Sequence, residues 1–300
     1  MSYRIVGDWG TSRLRLFRIE QGEVVARAEG AGIGALDQTA EATLRAAIVP
    51  WCAERDPDSI TLCGMVGSRN GWIEVPYAAC PSDVPGWLAA AGQATLDGVP
   101  VTIMAGLACT APSGGPDVMR GEETQLFGAI ARDPALRTGR HRLALPGTHS
   151  KWATIEQGRI VGFQTFFTGE LFALLRDRST LLRAAGAGDA DPAGERRGFA
   201  HGLSRARDGD LLLGALFEAR SAQLIDGRSP AWALGYLSGL LIGREIAEIA
   251  SAAGESVGLI GDPALCARYA RALAASGIDT HLLDGDACAL AGLALWETER

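Results

Sequence analysis

Two stretches of this 300-residue chain follow one pattern. The first reads Gly10-Thr11, a strand-like segment, then Ile19-Glu20-Gln21-Gly22-Glu23-Val24-Val25. The second reads Gly147-Thr148, a similar segment, then Ile155-Glu156-Gln157-Gly158-Arg159-Ile160-Val161. Each follows an apolar run, Ile5-Val6 and Leu143-Ala144-Leu145. The pattern spells strand, tight Gly-Thr turn, strand, Gly turn, strand. Internal repetition constrains architecture strongly, because each copy must bury its apolar face by the same plan. It predicts two related domains, each opening with a three-stranded meander. A Gly-Thr turn at a strand end can also aim backbone N–H groups and a hydroxyl at phosphate. An ordinary hairpin turn explains either copy taken singly.

A length of 300 residues accommodates two domains of about 150. The net charge of -7 speaks against nucleic-acid and anionic-membrane partners, though a locally basic pocket for a small anion remains compatible with it. Cys52, Cys63, Cys80, Cys109, Cys266 and Cys288 show no C-x-x-C pair and no zinc-finger spacing. They read as buried free thiols, which fits a reducing, cytoplasmic setting. The start Met1-Ser2-Tyr3-Arg4-Ile5 lacks the apolar core of a signal peptide. The apolar run from Trp232 to Ile249 carries Arg244, Glu245 and Glu248, so it reads as a core helix and not a membrane span.

Residues 3–30 predict three strands, with Leu14, Leu16 and Ile19 roughly alternating with Arg13, Arg15 and Arg18. A helix is expected over about Gln38 to Glu54, a strand at Ile60–Cys63 and a loop at Gly64–Gly71. Another strand at Val101–Met104 precedes a long Gly/Pro loop through Gly115 and Pro116. A helix then opens at Arg120-Gly121-Glu122-Glu123-Thr124. The second half predicts strands at 142–146, 150–156 and 159–166, a helix from about Gly169, and a loop or insertion over 186–198. Ser229-Pro230 starts a long helix to about Ala250, by a serine cap and a first-turn proline. Val257–Ile260 and Ile278–Leu283 read as strands, Asp262-Pro263 caps a helix, and Asp286 begins a terminal one. Strands alternating with helices after each meander give an α/β class. The domains are set at 1–140 and 141–300, with the last helix, about 286–298, crossing back to the first.

Five places carry candidate chemistry. Asp8 ends a strand before Gly10, Thr11 and Ser12; its carboxylate suits Mg²⁺ held through water. Gly147, Thr148, His149 and Lys151 form the second turn, where His149 and Lys151 could offset phosphate charge. Arg120 could fork onto a carboxylate, and Glu122 and Glu123 open a helix. Two acids there also fit plain dipole chemistry. If Glu123 faces a cleft, it could take a proton from an attacking hydroxyl. Ser68, Arg69, Asn70 and Trp72 offer donors for a polyol or carboxylate. Gly261 and Asp262, at a strand–helix turn, fit an adenosine site or an ordinary turn. Neither a Walker motif nor a dinucleotide G-x-G-x-x-G motif is present, so phosphate needs another cradle.

At these residues a family resemblance emerges. Asp8-Trp9-Gly10-Thr11-Ser12 and Pro146-Gly147-Thr148-His149 resemble the two phosphate motifs of the sugar kinase/actin/Hsp70 superfamily. Leu259-Ile260-Gly261-Asp262 resembles its adenosine motif, and the helix from Asp286 to Ala294 its C-terminal connecting helix. Within it the chain resembles the 2-dehydro-3-deoxygalactonokinase family, by Gly64-Met65-Val66-Gly67-Ser68 with Gly71-Trp72, and by Met119-Arg120-Gly121-Glu122-Glu123-Thr124-Gln125-Leu126. Leu145 to Trp152, Thr168-Gly169-Glu170-Leu171 and Ser238 to Gly243 complete the match, nearly the whole chain in family order.

The resemblance implies two RNase H-like (actin-like ATPase) domains with a ligand cleft between them. It implies ATP-dependent phosphorylation of the 6-hydroxyl of 2-dehydro-3-deoxy-D-galactonate. ATP and Mg²⁺ are then the cofactors, Asp8 the metal anchor, and Glu123 the base, with Glu122 and Asp8 as alternatives. Gly10, Thr11, Ser12, Gly147, Thr148, His149 and Lys151 would cradle phosphate, and Gly261 and Asp262 would hold adenosine. Ser68, Arg69, Asn70, Trp72, Arg120 and Glu122 would hold the sugar acid. A kinase for another sugar acid and a non-catalytic sensor are competing readings; a nuclease of related fold fits the charge poorly. Residues 179–207 fit a lid, a dimer contact or a connector, so a homodimer is left open.

Overall fold

Both meanders form, and both turn on the same two residues. Gln21 and Gly22 have φ of 51° and 89°, and Gln157 and Gly158 have φ of 51° and 73°. Positive φ at both central positions is the hairpin turn whose twist matches that of paired strands. The computed structural model describes residues 2–53, 55–182, 191–208, 212–249 and 256–299.

In the first half the elements are β1 (Arg4–Trp9), β2 (Arg13–Glu20), β3 (Glu23–Ala31), α1 (Ala40–Cys52) and β4 (Ile60–Gly64). There follow β5 (Ala78–Ala79), α2 (Val84–Ala89), β6 (Gly92–Leu96), β7 (Val99–Ile103), β8 (Leu107–Thr110), β9 (Pro116–Met119) and α3 (Glu122–Arg132). The second half holds β10 (Arg140–Leu145), β11 (Ser150–Glu156), β12 (Arg159–Phe166), α4 (Thr168–Arg178), α5 (Pro192–Arg207) and α6 (Leu212–Ile225). It closes with α7 (Pro230–Ile249), β13 (Val257–Ile260), α8 (Pro263–Ala274), β14 (Thr280–Leu283) and α9 (Gly285–Thr298).

The sheets repeat as the sequence does. One runs β3-β2-β1-β4-β7-β6 and the other β12-β11-β10-β13-β14, so five strands follow one order in each. In the first, β1 is antiparallel to β2 and parallel to β4, and β4 is parallel to β7. The carboxyl ends of β1, β4 and β7 therefore share one edge, where open α/β sheets place their ligands. Asp8 pairs with Arg15 across β2 and with Cys63 across β4. Leu14, Leu16, Phe17 and Ile19 of β2 are buried, and the register shifts between Arg18 and Ile19.

The chain divides into two compact units. The first holds Met1–Leu143, Trp152–Gln164 and Leu283–Arg300; the second holds Ala144–Lys151 and Thr165–Leu282. Within the first, α9 lies on α3 at backbone contact. A Cβ on Gly128 would stand 1.8 Å from the carbonyl oxygen of Cys288, and one on Gly292 2.0 Å from that of Thr124. Within the second, α5 and α7 cross as closely at Gly198 and Gly235.

Several expectations need correction. Residues 192–198 are not loop but the start of α5, capped by Asp191, which accepts from the Gly194 N–H at 2.6 Å. Its glycines suggest a loop in sequence, yet Gly194, Gly198 and Gly202 are buried in the helix. Residues 186–190 lie outside the described residues. The long loop before Arg120 instead holds β8 and β9, which with β5 form a three-stranded sheet. The cap of α9 is Asp284, not Asp286. All six cysteines are free, and among the described residues no helix is long and apolar enough to cross a membrane.

Candidate active site

In the first unit the ends of β1 and β4 and the start of α3 converge. Gly64 ends β4 at φ 92°, and a Cβ there would lie 2.7 Å from the Trp9 carbonyl oxygen and 3.3 Å from Asp8 Oδ1. Gly121 precedes α3 at φ 115°, with the Gly64 Cα 3.4 Å from its own missing Cβ. Only glycine lets these backbones meet, and the meeting brings Asp8 and Glu123 to one locality with Cys63. The Cys63 thiol is fully buried and is pushed well up, by burial first and then by the carboxylates of Asp8 and Glu123. It therefore stays neutral between two acids.

Glu123 does not open onto solvent. It is 0% exposed, and both its oxygens accept from the Gly121 N–H, at 2.9 and 2.8 Å. Burial, then repulsion from Glu122, pushes its carboxyl up to about 8. The neighbouring Glu122 is half-buried, and its Oε2 accepts from the Arg120 N–H at 3.2 Å. Asp8 is engaged too: Arg15 Nη2 donates to its Oδ2 at 2.5 Å. Arg15, which alternates with Leu14 and Leu16 along β2, is a further member of this cluster.

Arg120 lies close to the loop after β4. Its Nη2 donates to the Val75 carbonyl at 2.7 Å and its guanidinium sits 4.3 Å over the Tyr77 ring. A Cβ on Gly67 would come within 3.0 Å of Nη1. Arg120 Nε and Nη1 and Ser68 Oγ are buried polar atoms with no hydrogen-bond partner. Such atoms are costly unless something polar meets them. Arg69 stands apart at 84% side-chain exposure, 3.6 Å from Glu74. Asn70 is exposed and Trp72 half-buried on the same loop.

The turn at Gly10, Thr11 and Ser12 is braced from behind. Gly34 N–H donates to the Thr11 carbonyl at 2.9 Å and Ile33 N–H to that of Gly10 at 3.0 Å. A Cβ on Gly32 would stand 2.3 Å from the Thr11 oxygen. Thr11 and Ser12 remain exposed. The spaced glycines at 30, 32 and 34 were the available sequence signal for this support.

In the second unit, the start of α4 presses on the other Gly-Thr turn. A Cβ on Gly169 would lie 2.2 Å from the Gly147 carbonyl oxygen, and Glu170 N–H donates to the Thr148 carbonyl at 2.8 Å. His149 Nε2 lies 2.6 Å from Glu170 Oε2, and its ring stacks on Phe167. Lys151 is neither a solvated side chain nor an exposed one: it is buried, and its Nζ donates to Thr165 Oγ1 at 2.8 Å. Gly261, at φ 141°, has the Pro146 oxygen 3.3 Å from its missing Cβ, and Asp262 caps α8 through the Leu265 N–H. A cavity of about 420 Å³ runs here, with Gly147, Gly169, Asp262, Ser238, Arg268 and Tyr269 among its lining residues and Leu234, Leu241 and Ile242 supplying apolar wall. That volume falls in the range of small-molecule and cofactor pockets.

Comparison with known proteins fits this picture. A family profile described as 2-keto-3-deoxy-galactonokinase matches residues 8–296. A 2-dehydro-3-deoxygalactonokinase of Escherichia coli is 34% identical over 95% of this chain and 94% of its own. A Rhizobium meliloti protein assigned the same activity is 37% identical over 97% of this chain and 95% of its own. A crystal structure of a Sinorhizobium meliloti protein so assigned superposes with a TM-score of 0.88 at 35% identity, covering 99% of both chains.

Proposed function

The chain belongs to the 2-keto-3-deoxy-galactonokinase family, and from that premise we propose how its residues share the work. It is an ATP-dependent kinase that phosphorylates 2-dehydro-3-deoxy-D-galactonate, at the 6-hydroxyl, on a fold of two RNase H-like domains. The reading of its sites rests on chemistry at each. The cavity of the second unit takes ATP: Gly147 and Thr148 offer N–H groups and a hydroxyl to phosphate, and the apolar wall suits a purine. Gly261 and Asp262 border the nucleoside. Gly10, Thr11 and Ser12 are the first unit's own set of phosphate donors. His149 steadies the turn through Glu170, and Lys151 adds positive charge from beneath.

The sugar acid goes to Arg120 and Ser68. One observation carries this assignment: the partnerless buried atoms Arg120 Nε and Nη1 and Ser68 Oγ. A carboxylate matches the charge of the Arg120 guanidinium, and a hydroxyl matches serine. Glu122, Arg69, Asn70 and Trp72 border the same loop, the latter three as outer contacts.

Mg²⁺ fits as a largely hydrated ion. Among the described residues no group of three or more His, Cys, Asp or Glu is gathered for a metal, whereas magnesium in such enzymes takes one or two carboxylates plus substrate phosphates. Asp8 is that carboxylate. When bound, the ion would neutralise charge on the transferring phosphates. Glu123 takes the proton from the hydroxyl; a carboxyl pushed up to about 8 is matched to accept a proton near neutral pH. Reaching it requires the Gly121 N–H to release one oxygen. The cytoplasm is the expected location, and a homodimer the expected alternative to a monomer.

A coupled ADP-release assay over 2-keto-3-deoxy acids and plain hexoses tests the reading. Phosphorylation of the galactonate derivative is expected, and turnover of glucose with none of the keto acids would overturn it.

A further inference from the structure

Arg15 stands between two carboxylates. Its Nη2 donates to Asp8 Oδ2 at 2.5 Å and its Nη1 to Asp286 Oδ1 at 2.5 Å. Asp8 and Arg15 face each other across the β1–β2 ladder, whereas Asp286 arrives 271 residues further along, from the first turn of α9. The side chains of Asp8, Arg15 and Asp286 are 28%, 19% and 55% exposed, so the cation is the least hydrated of the three. The place of Asp286 is fixed by the helix pair that also carries Glu123. Gln125 Nε2 donates to the Gly285 carbonyl at 3.2 Å, beside the backbone crossing at Gly128 and Gly292.

Resting on the reading that Asp8 anchors hydrated Mg²⁺, we propose that Asp286 is a positioning residue, the second counter-ion of Arg15 that lets Asp8 turn to the metal shell. Asp8 Oδ2 holds the guanidinium and Oδ1 lies toward the buried Cys63 thiol, with Sγ 4.0 Å away, so the carboxylate turns from this arrangement to present an oxygen to metal-bound water. A guanidinium stripped of its sole carboxylate, in a place only one-fifth exposed, would be a partly buried unpaired charge, which is costly. With Asp286 present, Arg15 keeps one charged partner after Asp8 departs. Arginine suits the task because its two Nη groups point to different partners at once. The plainer role for Asp286 is favourable interaction with the α9 dipole. That role would alter thermal stability but not the response to magnesium.

The test is calorimetric Mg²⁺ titration of the full-length protein saturated with a non-hydrolysable ATP analogue, alongside Mg²⁺ half-saturation and kcat in turnover. Asp286→Asn is expected to weaken Mg²⁺ binding about three- to fivefold, the upper reach of an exposed ion-pair coupling, with kcat at saturating Mg²⁺ nearly kept. Asp286→Glu is expected to restore most of the loss. In an Arg15→Gln background Asp286→Asn should have no further effect, because the coupling runs through Arg15. If Arg15→Gln does not fold, Arg15→Lys, which keeps the charge and loses the fork, should mimic Asp286→Asn. Unchanged Mg²⁺ binding in Asp286→Asn, or an equal loss in the Arg15→Gln background, overturns the proposal. Asp8→Asn separates the two levels: an unaltered Mg²⁺ response there refutes the metal role of Asp8 itself, whereas a lost response beside an inert Asp286 refutes this inference alone.

Discussion

One ionisation, that of Glu123, should move stability and activity in opposite directions. In the unfolded chain its carboxyl titrates near its ordinary 4.5, and in the fold near 8. Between those values the native state holds a proton that the unfolded state has lost. Native protein then binds more protons, so stability falls as pH rises through this window and levels off above about 8. At about 1.4 kcal/mol per pH unit the full penalty is about 5 kcal/mol, an upper figure for a wholly buried group. Glu123→Gln removes the titration and keeps the shape. It should start less stable at pH 5, because its amide N–H₂ needs a partner the carboxyl did not. Relative to the parent it should then gain several kcal/mol by pH 9. Urea unfolding of both proteins at pH 5, 6, 7, 8 and 9 reads the term as a difference, in which groups remote from Glu123 cancel. If Glu123 is also the base, kcat/KM of the parent should climb nearly tenfold per pH unit up to about 8, and the Gln variant should be inactive throughout. A stability difference that stays constant from pH 5 to 9 would refute the buried-proton reasoning. Near-normal turnover by the variant would refute the base.

Three further outcomes follow from close contacts and unpaired atoms. Arg120→Ala should raise KM for the sugar acid tenfold or more, by loss of a charge-assisted contact of about 1.5–3 kcal/mol, while calorimetry shows ADP binding unchanged. Gly169→Ala puts a Cβ 2.2 Å from the Gly147 carbonyl, so ATP affinity should drop while KM for the sugar acid holds. Gly292→Ala puts a Cβ 2.0 Å from the Thr124 carbonyl oxygen, forces α9 off α3 and should cost about 1–3 kcal/mol of stability by overpacking, read as a lower melting temperature.

Local chemistry made much of this molecule legible in its sequence. The Gln-Gly turns, the Ser229 and Asp262 caps and the apolar strands all rest on neighbours within a few residues, and they form where expected. Long-range pairings were not legible. Nothing near Arg15 announces Asp286, and nothing near Arg120 announces Val75 and Tyr77. Glycines misled in one region and helped in another. In α5 they look like a loop, because sequence does not say whether a glycine lacks a side chain for flexibility or for a neighbour's backbone. Exposure was equally hidden: Glu123 and Lys151 look like surface residues by type, and both are buried.

The repeat itself shows how the two halves came to differ. Between the Gly-Thr turn and the Gln-Gly turn the first copy is one residue longer than the second, and β2 is one residue longer than β11. The register shift between Arg18 and Ile19 is a separate irregularity: it skips Val25, so its extra residue lies on β3 and not on β2. Aligning the copies on Gly10 and Gly147 then puts Leu145 in the place of Asp8 and Trp152 in the place of Arg15. Leu145 and Trp152 are both buried. Where the first copy carries an ion pair at the sheet edge, the second carries two buried apolar residues. Two apolar residues at the first site could not hold a hydrated cation. The proposed metal carboxylate is therefore confined to the first copy, because neither Leu145 nor Trp152 offers an oxygen to a cation.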